Sequence, residues 1–254
     1  MDPLEVACLA AAAFAAGAVN AAAGGGSLIS FPALLAAGYT AKTANVTNTV
    51  ALWPGGLGGS LGYRRELRGQ RRRVALLLAP IALGAIAGSA ILLSTPGAAF
   101  EAIVPFLIIF AVVAMIFQER LAEFAAAHQL HSRGDDHVPM PLHAAMFLLA
   151  IYGAYFGAGL SILTLAAFSI LLPDDLQRSN ALKGMTTLLI NAVAVIYFAA
   201  FGPVEWGPAA LMAGAALAGG YLGVGLARRL SAAWLRRAVI AYGITAALVL
   251  LVRL

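Results

Sequence analysis

Asn20-Ala-Ala-Ala-Gly-Gly-Gly-Ser27 interrupts a long apolar run near the start of the chain. Glycine costs a helix interior about 1 kcal/mol relative to alanine, so three in succession predict a break. The surroundings decide what kind of break it is. Of 254 residues, 62% are hydrophobic and 11% charged, with a mean hydropathy of +0.90. Soluble domains carry about 25% charged residues, so the chain reads as an all-α integral membrane protein. Irregular backbone at membrane depth persists where it is buried in protein or lines a cavity. Residues 20–27 are therefore the first candidate site. A weaker version recurs as Phe156-Gly-Ala-Gly-Leu-Ser161.

Ten apolar segments are transmembrane candidates: about 4–23, 26–38, 43–63, 74–94, 101–118, 141–157, 160–172, 179–201, 207–227 and 238–253. A straight span needs about 20 residues. Segments 26–38 and 160–172 are too short for that, and each follows a glycine break, so both read as half-length spans. The opening Met1-Asp2-Pro3-Leu4-Glu5 has two acids and no base ahead of the apolar run. A secretory signal needs a positive start, so the first segment reads as a retained helix.

Arginine orients the spans. The loop Arg64-Arg-Glu-Leu-Arg-Gly-Gln-Arg-Arg-Arg73 and the group Arg228, Arg229, Arg236 and Arg237 belong on the cytoplasmic side. With alternating spans, thirteen of the sixteen basic residues are cytoplasmic, Lys42 and Arg253 are outside, and Lys183 lies within a span. Both termini are then outside. The charge accounts for topology and does not indicate nucleic-acid binding. In the first half the basic loop lies between the third and fourth spans; in the second it lies between the fourth and fifth. Each half also carries a glycine break, a half-length span, a turn, and then Asn45 or Asn180 at the opening of a helix. Together these predict a 5+5 inverted repeat: 1–118, a cytoplasmic linker 119–140, and 141–254.

The pattern resembles the TauE/SafE family of bacterial membrane permeases, often described as sulfite exporters. The residues that carry the resemblance are Gly17-Ala-Val-Asn-Ala-Ala-Ala-Gly-Gly-Gly-Ser-Leu-Ile-Ser-Phe-Pro-Ala-Leu-Leu35 with Ala44-Asn-Val-Thr-Asn-Thr49. The second copy is Gly153-Ala-Tyr-Phe-Gly-Ala-Gly-Leu-Ser161 with Ser179-Asn-Ala-Leu-Lys183. It departs from the first, since Gly157-Ala158-Gly159 replaces the triplet and no Pro-x-Leu follows. The resemblance implies transport of small sulfur-containing anions such as sulfite, sulfoacetate or related organosulfonates, in the bacterial inner membrane.

The residues themselves suggest how an anion is held. A half-helix start offers unpaired N–H groups and the positive end of a dipole. Gly24, Gly25, Gly26 and Ser27 form one such start; Gly157, Gly159 and Ser161 form the other. Close helix packing is the alternative use of these glycines. Asn20, Asn45, Asn48, Thr47, Asn180 and Asn191 add donors, although Asn45 and Asn180 are also ordinary helix N-caps. Lys183 lies in an apolar span, where an ionisable group is a functional candidate unless it snorkels to the surface. Lys42 reads as a solvated charge or an attractor for anions. Trp53-Pro-Gly-Gly56 reads as a hinge, an unwound stretch or a proline kink.

Other chemistry has little support. The lone Cys8 excludes an intramolecular disulfide. His128, His131, His137 and His143 with Asp135 and Asp136 match no zinc spacing, so no metal or cofactor is expected, and no catalytic motif is present. The eleven acids fall in loops or at span ends, which disfavours coupling through a buried carboxylate. The expected function is export of a small anion by alternating access. A channel, a carrier for another small metabolite, an intramembrane enzyme and an assembly subunit are the alternatives.

Overall fold

The computed structural model describes residues 2–22, 24–62, 67, 69–127, 138–172, 174, 176–227 and 232–253. Among these, all regular structure is helical: α1 (Pro3–Ala22), α2 (Ser27–Ala36), α3 (Ala41–Gly62), α4 (Arg71–Ser94), α5 (Gly97–Ala127), α6 (Met140–Tyr155), α7 (Leu160–Leu171), α8 (Leu176–Phe201), α9 (Trp206–Ala227) and α10 (Ala232–Arg253). The order agrees with the ten expected segments. Among the described residues, four stretches are long and apolar enough to cross a membrane: Pro3–Asn20, Arg71–Ser94, Gly97–Gln118 and Gln177–Phe201. Helix α5 continues to Ala127, into the stretch expected to be a linker.

α2 has 10 residues and α7 has 12. At 1.5 Å per residue these helices are about 15–18 Å long, roughly half of a 30 Å hydrocarbon layer. Each follows backbone that glycine alone adopts readily. Gly24 and Gly25 have φ of +77° and +88°, and Gly157 and Gly159 both have +76°. The Gly24 N–H donates to Val19 O and the Gly157 N–H to Tyr152 O, the same six-residue closure at the ends of α1 and α6.

Glycine also sets the tightest helix contacts. α1 lies along α9, and α4 lies along α6. A Cβ on Gly17 would stand 2.2 Å from Ala216 O, and one on Gly219 2.0 Å from Phe14 O. In the other pair, a Cβ on Gly84 or Gly88 would stand 2.4 Å from Phe147 O or 2.2 Å from Ile151 O. Such contacts are how helices associate in lipid, where apolar burial supplies no net drive. α3 packs on α9 and α8, α4 also packs on α8, and α5 pairs with α10. Phe31, Phe100, Phe168 and Phe198 are fully buried, yet Phe106, Phe110, Phe117 and Leu248 face outward. A surface as apolar as its interior suits lipid rather than water.

Two expectations need correction. α3 remains helical from Ala41 through Pro54 to Gly62, so Trp53-Pro-Gly-Gly56 is not an unwound stretch; the Trp53 indole N–H donates to Leu188 O on α8 at 3.3 Å. Asn45 and Asn180 are not N-caps, because α3 begins at Ala41 and α8 at Leu176. Thr40 caps α3: its carbonyl accepts from the Ala44 N–H and its hydroxyl from the Thr43 N–H.

Candidate functional site

The two breaks meet. A Cβ placed on Gly24 would lie 3.5 Å from Ser161 Cβ and 3.9 Å from its Oγ, so the α1–α2 break faces the first turn of α7 with room for about one methyl group between them. From this meeting point the half-helices run to opposite ends of the bundle. Past the end of α2, the Tyr39 hydroxyl donates to Glu5 Oε1 at the start of α1, at 2.8 Å. Past the end of α7, Asp174 pairs with Arg73 at the start of α4. Both N-termini therefore point inward, each with about half a unit of positive charge. The Phe31 and Phe156 rings pack edge to face, 5.5 Å apart, across the two elements.

Asn20 has a defined role. Its Oδ1 accepts the Gly26 N–H at 2.7 Å, so the last turn of α1 caps α2 across the break. Gly26, not Ser27, occupies the N-cap position, and Ser27 is the first helical residue. Asn20→Ala is expected to cost about 1 kcal/mol, a fall of about 2–4 °C in the unfolding midpoint measurable on detergent-solubilised protein.

The wall behind the breaks comes from α5, which carried no signal in the sequence. A Cβ on Gly25 would meet Met115 Cε at 2.2 Å, and one on Gly159 would meet Ala111 at 3.5 Å. Ala111 and Met115 are one helical turn apart on the same face. The small Ala111 lets α7 approach, and the flexible Met115 fills the space beside the triplet.

Two long helices bring the remaining candidates. The Asn45 Nδ2 donates to Tyr155 O at 2.9 Å, fixing α3 to the last residue of α6 just before the second break. Asn48, three residues on, is buried and its Oδ1 has no hydrogen-bond partner; rotating the amide would present NH2 instead. On α8 the Lys183 ammonium donates to Asn180 Oδ1 at 3.0 Å. Aligning Asn45 with Asn180 places Lys183 where α3 has Asn48. Thr47 and Asn191 have structural roles: Thr47 Oγ1 accepts the Glu205 N–H and Asn191 donates to Thr187 O.

The ends of the bundle hold further groups. Asp174 accepts from Arg73 and from Arg178 Nε, the latter at 3.0 Å. Gln70 Nε2 donates to Arg178 O at 2.9 Å and Gln70 Oε1 accepts from Arg73 at 3.3 Å. Asp174 is thus a buried carboxylate, which the sequence reading did not expect, though it sits at a span end rather than mid-path. At the other end burial, the bond to Glu5, and the charges of Glu5 and Glu205 push the Tyr39 phenol up to about 12, so it stays a donor. His128, His131 and His137, with Asp135 and Asp136, lie outside the described residues, and His143 Nδ1 lies 3.2 Å from Pro139 O. Among the described residues no group of metal ligands assembles.

Residues 9–250 match the family described as sulfite exporter TauE/SafE. The chain belongs to the TauE/SafE family. Relatives share 24–30% of their residues with this TauE/SafE chain. A probable membrane transporter protein of Haemophilus influenzae is 28% identical, covering 83% of this chain and 80% of its own length. The probable membrane transporter protein YfcA of Escherichia coli K12 is 24% identical over 91% and 82%. A third, probable membrane transporter protein ORF9 of a Sinorhizobium species, is 30% identical over 79% and 75%. No solved structure matches the chain. The protein is a membrane transporter of this family, and its relatives are described as transporters rather than enzymes.

Proposed function

We propose that this TauE/SafE protein exports small sulfur oxyanions, sulfite or organosulfonates, through a site where α2 and α7 begin. The observation that carries the reading is the approach of Gly24 to Ser161, within the reach of one added methyl group, which brings two positive helix ends together. An anion there takes backbone N–H groups of both starts. Ser27, Ser161, Asn20, Asn45, Asn48 and Asn180 supply side-chain donors near the two breaks or on the helices packed against them. Lys183, on the α8 that packs on α7, adds the one full positive charge. Its pairing with a neutral amide leaves that charge available to a substrate.

An inverted repeat of α1–α5 and α6–α10 is part of this reading. Exchanging the halves maps the α1–α9 contact onto α6–α4, α3–α9 onto α8–α4, α1–α2 onto α6–α7, and α2–α10 onto α7–α5; the α3–α8 and α5–α10 contacts map onto themselves. This correspondence, which the smaller α3–α5 and α1–α10 contacts do not share, supports a pseudo-two-fold axis through the site, the arrangement on which alternating access is built. The positive-inside rule supports both termini outside and the Arg73–Asp174 end in the cytoplasm.

The test is flux in proteoliposomes. Sulfite and sulfoacetate are expected to leave down an imposed potential with no pH gradient, since an anion is driven out of a negative interior. Flux that requires a pH gradient at zero potential overturns this coupling. Lys183→Ala is expected to lower flux by about tenfold or more, the effect of removing a charge-assisted hydrogen bond, while the protein stays folded and inserted. Unchanged flux in this variant removes Lys183 from the site.

A further inference from the structure

Lys42 sits at the unfavourable end of its own helix. It is the second residue of α3, where the helix dipole is positive and a cation is destabilising. The structure explains the choice. The Lys42 ammonium donates to Leu93 O at 3.1 Å and to Thr95 O, the carbonyls at the C-terminal end of α4, where the dipole is negative and acceptors lack intrahelical partners. Lys42 is therefore part-buried and bound to backbone carbonyls, rather than a freely solvated charge.

The bond crosses a particular boundary. α4 is fixed to α6 through Gly84 and Gly88, whereas α3 lies on α9 with Gly55 close to Ala216, and α9 lies on α1 through Gly17 and Gly219. Backbone-to-backbone contacts of this kind tie the helices of each group closely together. The breaks meet between these groups, Gly24 following α1 and Ser161 following α6. Lys42 spans the same junction at the rim, and Asn45, bonded to Tyr155 O, spans it deeper. With Asn45 aligned to Asn180, the other half has neutral Gln177 in place of Lys42.

We propose that Lys42 is the latch closing one mouth of the transport path, the mouth where α3 begins and α4 ends. While the mouth is shut, the ammonium holds the end of α4 against α3. When the groups part, it is left at the positive end of α3, facing the opening, where it draws an anion through. The latch rests on the transport reading above; under the topology proposed there, the mouth is external.

Thiol labelling tests the latch without a known substrate. With Cys8→Ser as background and Ser161→Cys as reporter, a membrane-impermeant thiol reagent is applied from the Lys42 face. Lys42→Gln, which copies the other half, is expected to raise the labelling rate about tenfold, the effect of losing a charge-assisted bond. Lys42→Arg, which can still donate to both carbonyls, is expected to restore the slow rate. A rate in Lys42→Gln equal to that of the reporter protein, including no labelling in either, overturns the latch. A separate variant, Lys42→Cys with Thr95→Cys, is joined by a short bis-thiol crosslinker and assayed for flux. Arrest relieved on cleaving the link is expected, and flux undiminished by the link overturns the proposal. Labelling of Ser161→Cys from neither face in any variant withdraws the central site as well.

Discussion

Asp174→Ala is expected to destabilise the folded protein by about 3–5 kcal/mol, the cost of leaving a buried charge without its partner. Arg73 is 3% exposed and the Asp174 side chain 1%. Removing the carboxylate takes from the buried guanidinium an anion that offsets its desolvation. The Arg178 arm matters less: its side chain is 31% exposed, and a pair at that exposure contributes roughly 0–1 kcal/mol. Thermal unfolding in detergent is expected to rank Asp174→Ala well below Arg178→Ala. The double variant Arg73→Met with Asp174→Leu is expected to recover most of the loss, because an apolar pair of similar volume needs no desolvation. A double variant no more stable than the worse single one would exclude this ion pair as the cause. The Asp174→Ala loss is also expected to persist at high salt, since buried pairs are weakly screened.

This ion pair shows what a single sequence withholds. Arg73 belongs to an arginine-rich loop and Asp174 to a short turn a hundred residues later, and each looks solvated beside its neighbours. Their burial follows from α4 packing on α8, a contact between the two halves. Lys42 is similar: its partner is the backbone at the end of α4, and carbonyls leave no trace in composition. Ala111 and Met115 were invisible for another reason. A helix face that packs against the two breaks needs no polar residue, so α5 reads as one uniform span.

What was legible had a local cause. A glycine triplet in an apolar run admits few explanations, and the two backbone closures at Gly24 and Gly157 fall where the sequence placed the breaks. Asn20 stood out as a polar residue among alanines and proved to cap α2. The same reasoning erred at Asn45 and Asn180. A polar residue after a turn resembles a helix start, but these amides lie in the second turn. Asn45 bonds the backbone of another helix and Asn180 accepts from Lys183. A cap and an inter-helix tie use the same chemistry, and only the partner distinguishes them.

Gly219→Leu is expected to prevent the protein from folding, and Gly219→Ala to destabilise it severely. A Cβ at this position would stand 2.0 Å from Phe14 O and 2.8 Å from its carbonyl carbon. Both are backbone atoms of α1, so no side-chain rotation relieves the clash and the helices must separate. Overpacking a core costs about 1–3 kcal/mol even where side chains can adjust. The gain of about 1 kcal/mol in helix propensity from glycine to alanine does not offset a displaced interface. Gly88→Ala, which would meet Ile151 O at 2.2 Å, is expected to cost a similar amount, because there too the clash is with backbone. Gly214→Ala is the control: it lies in α9 with nothing within 4 Å of the added methyl, and is expected to be neutral or slightly stabilising. The comparison separates contact from propensity, since Gly214 and Gly219 share one helix and one substitution. Size-exclusion profiles and unfolding midpoints in detergent read it directly, and equal behaviour of the two would discard close backbone contact as the role of Gly219. Under the proposed repeat, each of these glycine contacts joins a helix of one half to a helix of the other. The bodies proposed to rock in alternating access are then two interlocked groups, one containing α1, α3 and α9 and the other α4 and α6, with the paired helix starts between them.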